Sequence, residues 1–278
     1  MKILSKIYMI IVFSLLYAPI VIVVLFSFNA KGSLNEFSGF SFYWYRELFR
    51  DAKALLALKN SLYLAASSAL LATLIGTLAA FGISRLRSRH FKNVIRSVTN
   101  IPMMNPDIVT GVSMMLLFGF AVTMPFWPIK FGFGTMLIAH TTFNIPYVIL
   151  SVLPRFTQMD KHLTEAALDL GCTPAGSFFR VELPFVLPGV LSGLMLGFTL
   201  SLDDFVISHF VSSPDFETLP LYVYNQTIHK VDFNTYALFA LMVFVILILM
   251  LVVNFADSFS IEKFRSKRKK KTEAKENA

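Results

Sequence analysis

Residues 160–184 read DKHLTEAALDLGCTPAGSFFRVELP, and this patterned connection between two long apolar runs decides the fold class. Asp160 can cap a helix that begins near Lys161, and Gly171 can adopt the left-handed backbone conformation that ends it. Apolar side chains recur between these two ends at helical spacing, at Leu163, Ala166, Ala167 and Leu170. The pattern therefore predicts a short helix followed by a tight turn.

A second short helix is predicted after that turn. Thr173 and Pro174 are residue types preferred at the N-cap and at the first helical position. Apolar side chains follow at Phe178, Phe179 and Val181. Because proline disfavours the continuation of a helix, we expect Pro184 to end this one before the next apolar run. The connection is therefore predicted to fold as a helical hairpin, the 160–184 hairpin.

The surface of the 160–184 hairpin combines acidic and small side chains. Glu165 and Asp169 lie four residues apart, on one face of the predicted helix. Ala166, Ala167 and Gly171 would allow another protein backbone to approach closely. A hairpin that rests on lipid usually carries Lys and Arg on its polar face. The acidic first helix therefore favours a protein partner, with an interfacial hairpin as the alternative.

Apolar runs dominate the rest of the chain. Hydrophobic residues make up 55% of the 278 residues and charged residues 15%, against about 25% charged in soluble proteins. Crossing a bilayer takes about 20 apolar residues. Six spans are predicted on this basis, at residues 7–30, 62–84, 108–129, 131–154, 183–207 and 233–256. The expected fold is all-α and integral to the membrane, with one six-helix domain over residues 1–262.

The distribution of Lys and Arg predicts the orientation of this domain. With a cytoplasmic N-terminus, the inner segments carry 18 Lys and Arg and the outer segments carry 7, which follows the positive-inside rule. We therefore expect a multi-pass protein of the cytoplasmic (inner) membrane with both termini cytoplasmic. Lys2 and Lys6 before the first run also resemble a signal peptide. That run is too long for one and no cleavage site follows, so an uncleaved helix is favoured.

Residues 263–278 form a basic tail that is expected to be disordered. A cluster of Lys and Arg can bind nucleic acid or anionic lipid. A solvated anchor after the last span is the simpler interpretation. Membrane lipid is therefore an expected partner of the chain, and nucleic acid is not.

The 160–184 hairpin resembles the EAA signature of binding-protein-dependent ABC importer permeases. The matching residues are Glu165-Ala166-Ala167, Gly171 and Val181-Glu182-Leu183-Pro184, with Val181 where the family usually has isoleucine. Over essentially the whole chain, the sequence is similar to the PotC-type permease subunits of spermidine/putrescine importers. The segments that look like this subunit in particular are Pro106–Val109 and Phe198–Val206.

This resemblance implies a fold, a function and partners. The fold would be the six-helix, MetI-like fold of type I ABC importer permeases, and the chain would form half of a translocation path for polyamines. Its partners would be a second permease, two copies of an ATP-binding subunit on the cytoplasmic face, and an extracytoplasmic polyamine-binding protein. In such permeases the hairpin sits in a groove of the ATPase and transmits its closure. The residues expected to carry this coupling are Glu165, Ala166, Ala167, Asp169, Gly171, Leu183 and Pro184.

The chain itself is not expected to hydrolyse ATP or to be an enzyme of another kind. Gly171 and Gly176 have the glycine spacing of a phosphate-binding loop, but the lysine and the hydroxyl residue of that motif are absent. The histidines show no metal-ligand spacing, and a single cysteine excludes a cysteine-based zinc site. No cofactor, metal or catalytic residue is therefore predicted.

Three carboxylates at the edges of apolar runs are candidates for lining a cation path. Asp107, Asp203 and Asp204 would be costly to leave unpaired in a membrane, so such residues tend to face a partner or a water-filled path. Adjacent residues point about 100° apart on a helix, so at most one of Asp203 and Asp204 can face the path. The other would bind a neighbouring helix or a backbone group, unless both lie in water. Asp107 has a competing role near the start of a helix capped by Asn105.

His140 lies inside the fourth predicted span, with Asn144 one helical turn further on. No further metal-ligating residue stands at a matching spacing. We expect these two side chains to form a hydrogen-bonded pair that stabilises the helix, and not a metal site.

Three other functions stay open at this point. An importer permease for a different small solute would carry the same signature. A secondary transporter or channel would need no hairpin for an ATPase and would often show inverted repeats, which are not evident between residues 1–130 and 131–256. An intramembrane aspartyl protease would need a Gly-x-Gly-Asp motif and a Tyr-Asp partner, and Asp203-Asp204 has neither setting.

Overall fold

The computed structural model describes residues 2–31, 36–124, 130–229, 235–248 and 251. Within these ranges the regular secondary structure is helical, and the β contacts are two isolated bridges, Asn29 with Phe40 and Ser213 with Phe216. The helices are α1 (Lys2–Phe26), α2 (Tyr43–Leu48), α3 (Ala52–Arg85), α4 (Arg89–Met104), α5 (Asp107–Thr123), α6 (Phe133–Gln158), α7 (Lys161–Asp169), α8 (Pro174–Ser177), α9 (Leu183–Leu202), α10 (Val206–Val211), α11 (Leu219–His229) and α12 (Thr235–Ile248). A π turn, Phe178–Glu182, joins α8 to α9.

Four long apolar helical segments give the chain its membrane-spanning character. They are Leu4–Phe26, Ala52–Arg85, Phe133–Gln158 and Pro174–Leu202. The pair α4 and α5 is a fifth candidate, with a bend of 98° at the break between the two helices. The chain is therefore an all-helical, multi-pass membrane protein, as predicted. The count of six spans is not confirmed, since four or five helices of the described residues are long and apolar enough.

The second span begins earlier than the sequence interpretation placed it. The prediction started at residue 62 because Lys53 and Lys59 interrupt the apolar run, but lysine is a good helix former and does not end a helix. The Asp51 carboxylate caps the start of α3 by accepting from the backbone N–H groups of Lys53, at 2.9 Å, and Ala54, at 3.2 Å. With 34 residues, α3 is about 50 Å long and extends beyond a hydrocarbon core of about 30 Å.

The connection that follows α3 contains α4, a helix that the sequence interpretation missed because charged side chains interrupt it. Ser88 caps α4, with its hydroxyl oxygen 3.4 Å from the backbone nitrogen of Phe91. α5 then ends at Thr123 and not at residue 129 as predicted; residues 125–129 lie outside the described part. The sixth predicted span, 233–256, contains α12, and its last residues lie outside the described part except for Leu251.

Contacts between residues divide the chain into two compact units. The expectation of a single domain over residues 1–262 stays a prediction. One unit comprises residues 1–58 and 221–250. In it the indole N–H of Trp44 donates to the Asn29 carbonyl oxygen at 2.8 Å, and the Tyr222 hydroxyl donates to the Asp51 carboxylate at 2.7 Å. Most side chains of the segment Leu4–Phe26 of α1 are exposed, and none is fully buried by the described residues, which is typical of a helix that faces lipid or another subunit.

The other unit comprises residues 59–220 and 251–278, and its described part is built on the packing of α6 against α9. Glycines of α9 recur every four residues on the face toward α6. A Cβ atom at Gly189 would lie 2.8 Å from the Ser151 carbonyl oxygen, and one at Gly193 would lie 3.3 Å from the Val148 Cα. The two backbones therefore approach too closely for larger side chains. The buried apolar residues around this contact are Ala72, Ala80, Ile83, Val148, Ile149, Val152, Leu153, Phe156 and Val186.

The close approach of α6 and α9 makes a direct prediction. Gly189→Ala is expected to destabilise the protein by about 1–3 kcal/mol, because a backbone oxygen cannot move aside for the added methyl group. Gly82→Ala is the control, since a Cβ atom there meets no atom of the described segments within 4 Å. We expect no loss of stability from it. Thermal unfolding of the purified variants in detergent measures both effects. Equal melting temperatures for the two variants would contradict the described packing.

Candidate functional site

The first arm of the 160–184 hairpin forms as the sequence predicts. The Asp160 carboxylate accepts from the backbone N–H of His162 at 3.1 Å and caps α7. At the other end, Gly171 has φ +85°, in the left-handed region. Gly171 donates to the Leu168 carbonyl oxygen at 2.9 Å and Cys172 donates to that of Ala167 at 3.1 Å. This pair of bonds is the Schellman motif, which ends a helix on a glycine.

The second arm starts as predicted but does not end at Pro184. The Thr173 hydroxyl accepts from the Gly176 N–H at 3.1 Å, with Pro174 as the first residue of α8. The expected stop at Pro184 is wrong, because Pro174–Leu202 forms one long apolar helical segment. In the π turn, Leu183 donates to the Phe178 carbonyl oxygen five residues back. The backbone hydrogen bonds of this wider turn reach back five residues and not four. This change in hydrogen bonding precedes Pro184, which has no N–H to donate, and the helix continues past it.

The hairpin residues expected to contact another protein divide into exposed and packed positions. Ala167 is buried and Leu183 is partly buried, and the others are exposed, namely Glu165, Ala166, Asp169, Gly171 and Pro184. The exposed surface is also apolar, since Leu170 is 86% and Leu163 is 46% exposed. Exposed apolar and acidic side chains of this kind are suited to bind a partner protein.

The adjacent carboxylates after α9 have different surroundings. Asp204 is mostly buried and holds the start of α10, with its oxygens 3.3 Å from the Ile207 nitrogen and 2.8 Å from the Ser208 nitrogen. It also lies 3.5 Å from the His140 Nε2 atom. Asp203 is exposed. Of these two neighbours, Asp204 therefore binds backbone groups and Asp203 is the exposed carboxylate.

Asp107 is exposed in the first turn of α5. The N-cap position belongs to Pro106 and not to Asn105, whose side-chain amide instead lies 3.4 Å from the Thr110 hydroxyl. The predicted cap is therefore wrong by one residue, because Pro106 is itself not helical, with ψ 135°, and the helix begins only at Asp107. α5 packs along α10, so the helix that begins at Asp107 lies beside the helix whose first turn is bonded by Asp204.

His140 and Asn144 each bond to another helix. The predicted hydrogen bond between the two side chains is not among the bonds of the described residues, so this expectation is wrong. The His140 Nε2 atom lies 3.2 Å from the Ser208 hydroxyl of α10. The Asn144 amide donates to the Ser201 hydroxyl of α9 at 2.7 Å. Ser201 in turn lies 3.0 Å from the Ser68 hydroxyl of α3. Sequence reasoning missed these serines, and the one available signal was a hydroxyl side chain inside each apolar run.

The ends of α3 and α6 next to the 160–184 hairpin surround a cavity of about 690 Å³. Its lining includes Arg85, Arg87 and Lys92, together with Thr164 and Glu165 of α7. Glu182 of the π turn also reaches this cavity and pairs with Arg85. The sequence interpretation included Glu182 only as part of a signature, without a role.

Comparison with known proteins connects this arrangement to a family. The family model for the "binding-protein-dependent transport system inner membrane component" matches residues 72–265. The chain is 39% identical over 214 residues to the putrescine transport system permease protein PotI of Escherichia coli K12, covering 77% of this chain and 76% of that protein. It is 39% identical over 218 residues to the spermidine/putrescine transport system permease protein PotC of Haemophilus influenzae, covering 78% and 82%.

A solved structure shows the same fold. It is a crystal structure of a bacterial ABC transporter involved in the import of the acidic polysaccharide alginate. The TM-score is 0.71 over 93% of this chain and 94% of that chain, at 15% sequence identity. At this identity the likeness concerns the fold alone, and it confirms the predicted fold class of an ABC importer permease.

Proposed function

Because this chain belongs to the family of binding-protein-dependent transport system inner membrane components, we propose that it is a permease subunit of an ATP-driven importer for polyamines. The observation that carries the substrate class is the pair of relatives, one a putrescine and one a spermidine/putrescine permease, each matched over three quarters of its length or more. Exposed Asp203 and Asp107 support it, since a polycation needs carboxylates along its route.

The continuous helical segment Pro174–Leu202 supplies the mechanical link of this proposal. It begins in the 160–184 hairpin and ends at Leu202, immediately before Asp203. At 29 residues it is about 44 Å long, which is enough to cross the bilayer. A displacement of the hairpin is therefore transmitted along one helix to the carboxylates at the opposite end.

The proposed partners supply the functions that the residues of this chain do not provide. The chain lacks a phosphate-binding loop, so two copies of a separate ATP-binding subunit would bind the cytoplasmic hairpin through Glu165, Ala166, Asp169 and Gly171. Buried Ala167, with Leu183 and Pro184, would hold the shape of that surface. A second permease would complete the path as a heterodimer. An extracytoplasmic polyamine-binding protein would deliver the substrate to the outer side, with both termini of this chain in the cytoplasm.

Each ligand changes such a two-state gate only by binding one state better than the other. ATP-driven closure of the ATPase would favour the state in which the hairpins of the two permeases are close together. The loaded binding protein would favour the state that is open outward. Asp203 would meet the cation in the outward state, and Asp204 would keep the start of α10 in place beside it.

Uptake by the reconstituted complex tests the proposal. Liposomes that contain this chain, the second permease, the ATPase and the binding protein from the same source are expected to accumulate labelled putrescine or spermidine only when ATP is supplied. An uncharged solute of similar length, 1,4-butanediol, is the control and should not accumulate. ATP-dependent uptake of another solute without uptake of either polyamine would reject the substrate class and keep the importer assignment.

A further inference from the structure

One buried carboxylate joins three elements at the cytoplasmic end of the helices. Glu182, the last residue of the π turn, has a side chain that is 1% exposed. Arg85, the last residue of α3, donates to its Oε1 atom, and the Thr164 hydroxyl of α7 lies 3.4 Å from the same oxygen. Contacts of the Glu182 carboxylate therefore link α3, the π turn and the first arm of the 160–184 hairpin.

Aromatic packing runs parallel to this ion pair. The guanidinium carbon of Arg85 lies 5.0 Å from the centre of the Phe81 ring. The Phe81 ring in turn packs on Phe178, the first residue of the π turn, with 4.8 Å between ring centres, and on Phe156 of α6 at 5.8 Å. The end of α3 is thus attached to the π turn by a charged contact and an apolar contact.

The position of these contacts within the helix is informative. The π turn separates the exposed α7–α8 surface from the membrane part of α9, and π turns inside α-helices frequently occur at functional sites. A buried carboxylate is strongly unfavourable without its cationic partner. The Oε2 atom of Glu182 has no hydrogen-bond partner among the described residues, so the charge depends on the contacts at Oε1. The π turn and the end of α3 are therefore expected to move together.

We propose that Glu182 is a positioning residue for coupling, which makes the cytoplasmic end of α3 follow the 160–184 hairpin through Arg85. This inference rests on the proposed function. Movement of the hairpin would then displace two helices. α9 moves because it is covalently continuous with the second arm, and α3 moves because of the Arg85–Glu182 pair. Loss of the pair leaves the hairpin bound to its ATPase and weakens the transmission of its movement to the end of α3, where only the apolar contact of Phe81 with Phe178 remains.

The test uses a neutral pair of substitutions in the complete complex. Arg85→Gln with Glu182→Gln removes both charges and leaves no buried ion without a partner. We expect normal assembly and ATP hydrolysis, with polyamine uptake per ATP hydrolysed at least fivefold below that of the unmodified complex. Arg87→Gln is the matched control, because Arg87 lines the same cavity and should leave this ratio unchanged. Arg85→Lys keeps the charge and should retain most of the coupling.

Site-specific fluorophores separate the positioning role from a merely structural one. Cys172 is the only cysteine of the chain and reports on the hairpin, and Arg87→Cys in a Cys172→Ser background reports on the end of α3. In the neutral double variant, an ATP analogue should still change the Cys172 signal and should change the signal at position 87 much less than in the unmodified complex. The proposal is overturned if the ATP analogue changes both signals in the double variant as it does in the unmodified complex, or if Arg85→Lys uncouples transport as strongly as the double variant does.

These readouts also keep the proposal separate from the substrate assignment. If the unmodified complex hydrolyses ATP and moves its hairpin but transports no polyamine, the substrate class is wrong. The two fluorescence signals still decide, in that case, whether α3 follows the hairpin through Glu182.

Discussion

Replacement of Gly171 by valine is expected to abolish uptake and to release the ATPase while the protein remains in the membrane. Gly171 has φ +85°, a conformation that a β-branched residue adopts only at substantial cost. The Schellman motif at the end of α7 depends on this conformation. Without it, the exposed side chains of the two arms lose their relative positions. Uptake in proteoliposomes and co-purification of the ATPase measure the two effects.

Gly171→Asn distinguishes backbone strain from contact with a partner. Asparagine tolerates the left-handed region better than other residues with a side chain, so it should preserve the turn. Among the described residues, a Cβ atom at this position meets no atom within 4 Å. If the hairpin lies in a groove of the ATPase, the added side chain should still weaken ATPase binding at least tenfold. Normal uptake and ATPase binding by both variants would contradict the docking role of the hairpin.

Asp203→Asn is expected to lower polyamine uptake at least tenfold without loss of the assembled complex. Asp203 is exposed at the end of α9, so removal of its charge affects a passing cation more than the fold. ATP hydrolysis by the complex should persist, because the hairpin is unchanged. The measurement compares uptake with the amount of ATPase that co-purifies. An uptake rate equal to that of the unmodified protein would remove Asp203 from the cation path.

Asp204→Ala is the contrasting variant, because this neighbour has a structural partner set. Its carboxylate binds the backbone nitrogens of Ile207 and Ser208 and lies beside His140. Loss of these bonds leaves buried donors without acceptors, at a cost of about 1–3 kcal/mol. We therefore expect a lower melting temperature for Asp204→Ala and an unchanged one for Asp203→Asn. Similar melting temperatures for the two variants would contradict the different roles of these carboxylates.

Local chemistry explains which parts of the structure were predictable. Asp160, Gly171 and Thr173 determine helix ends through bonds to residues within five positions, so their roles are evident from spacing alone. The apolar runs likewise predict membrane helices. The ends of these helices are harder to predict, because the absence of charged residues indicates which residues lie in the bilayer and not where a helix begins or ends. The early start of α3 at Ala52 is an example.

Two of the features that sequence reasoning missed depend on tertiary contacts, and a third is a local irregularity of the helix backbone. Pro184 was expected to end a helix, and the preceding π turn accommodates it. Asn144 was expected to bond to His140, and it bonds to Ser201 of α9 instead. The ion pair of Glu182 with Arg85 joins residues far apart in the chain. Such partners become visible only when the helices are placed against one another.

The most direct test of the account is uptake by liposomes that contain both permeases, the binding protein and internal ATP, with the ATPase subunit either present or omitted. We expect accumulation of labelled polyamine only when the ATPase is present, and no ATP hydrolysis when it is absent. Accumulation against a gradient in the liposomes without ATPase, or ATP hydrolysis by the permeases alone, would contradict a chain that conducts the substrate while another subunit supplies the energy.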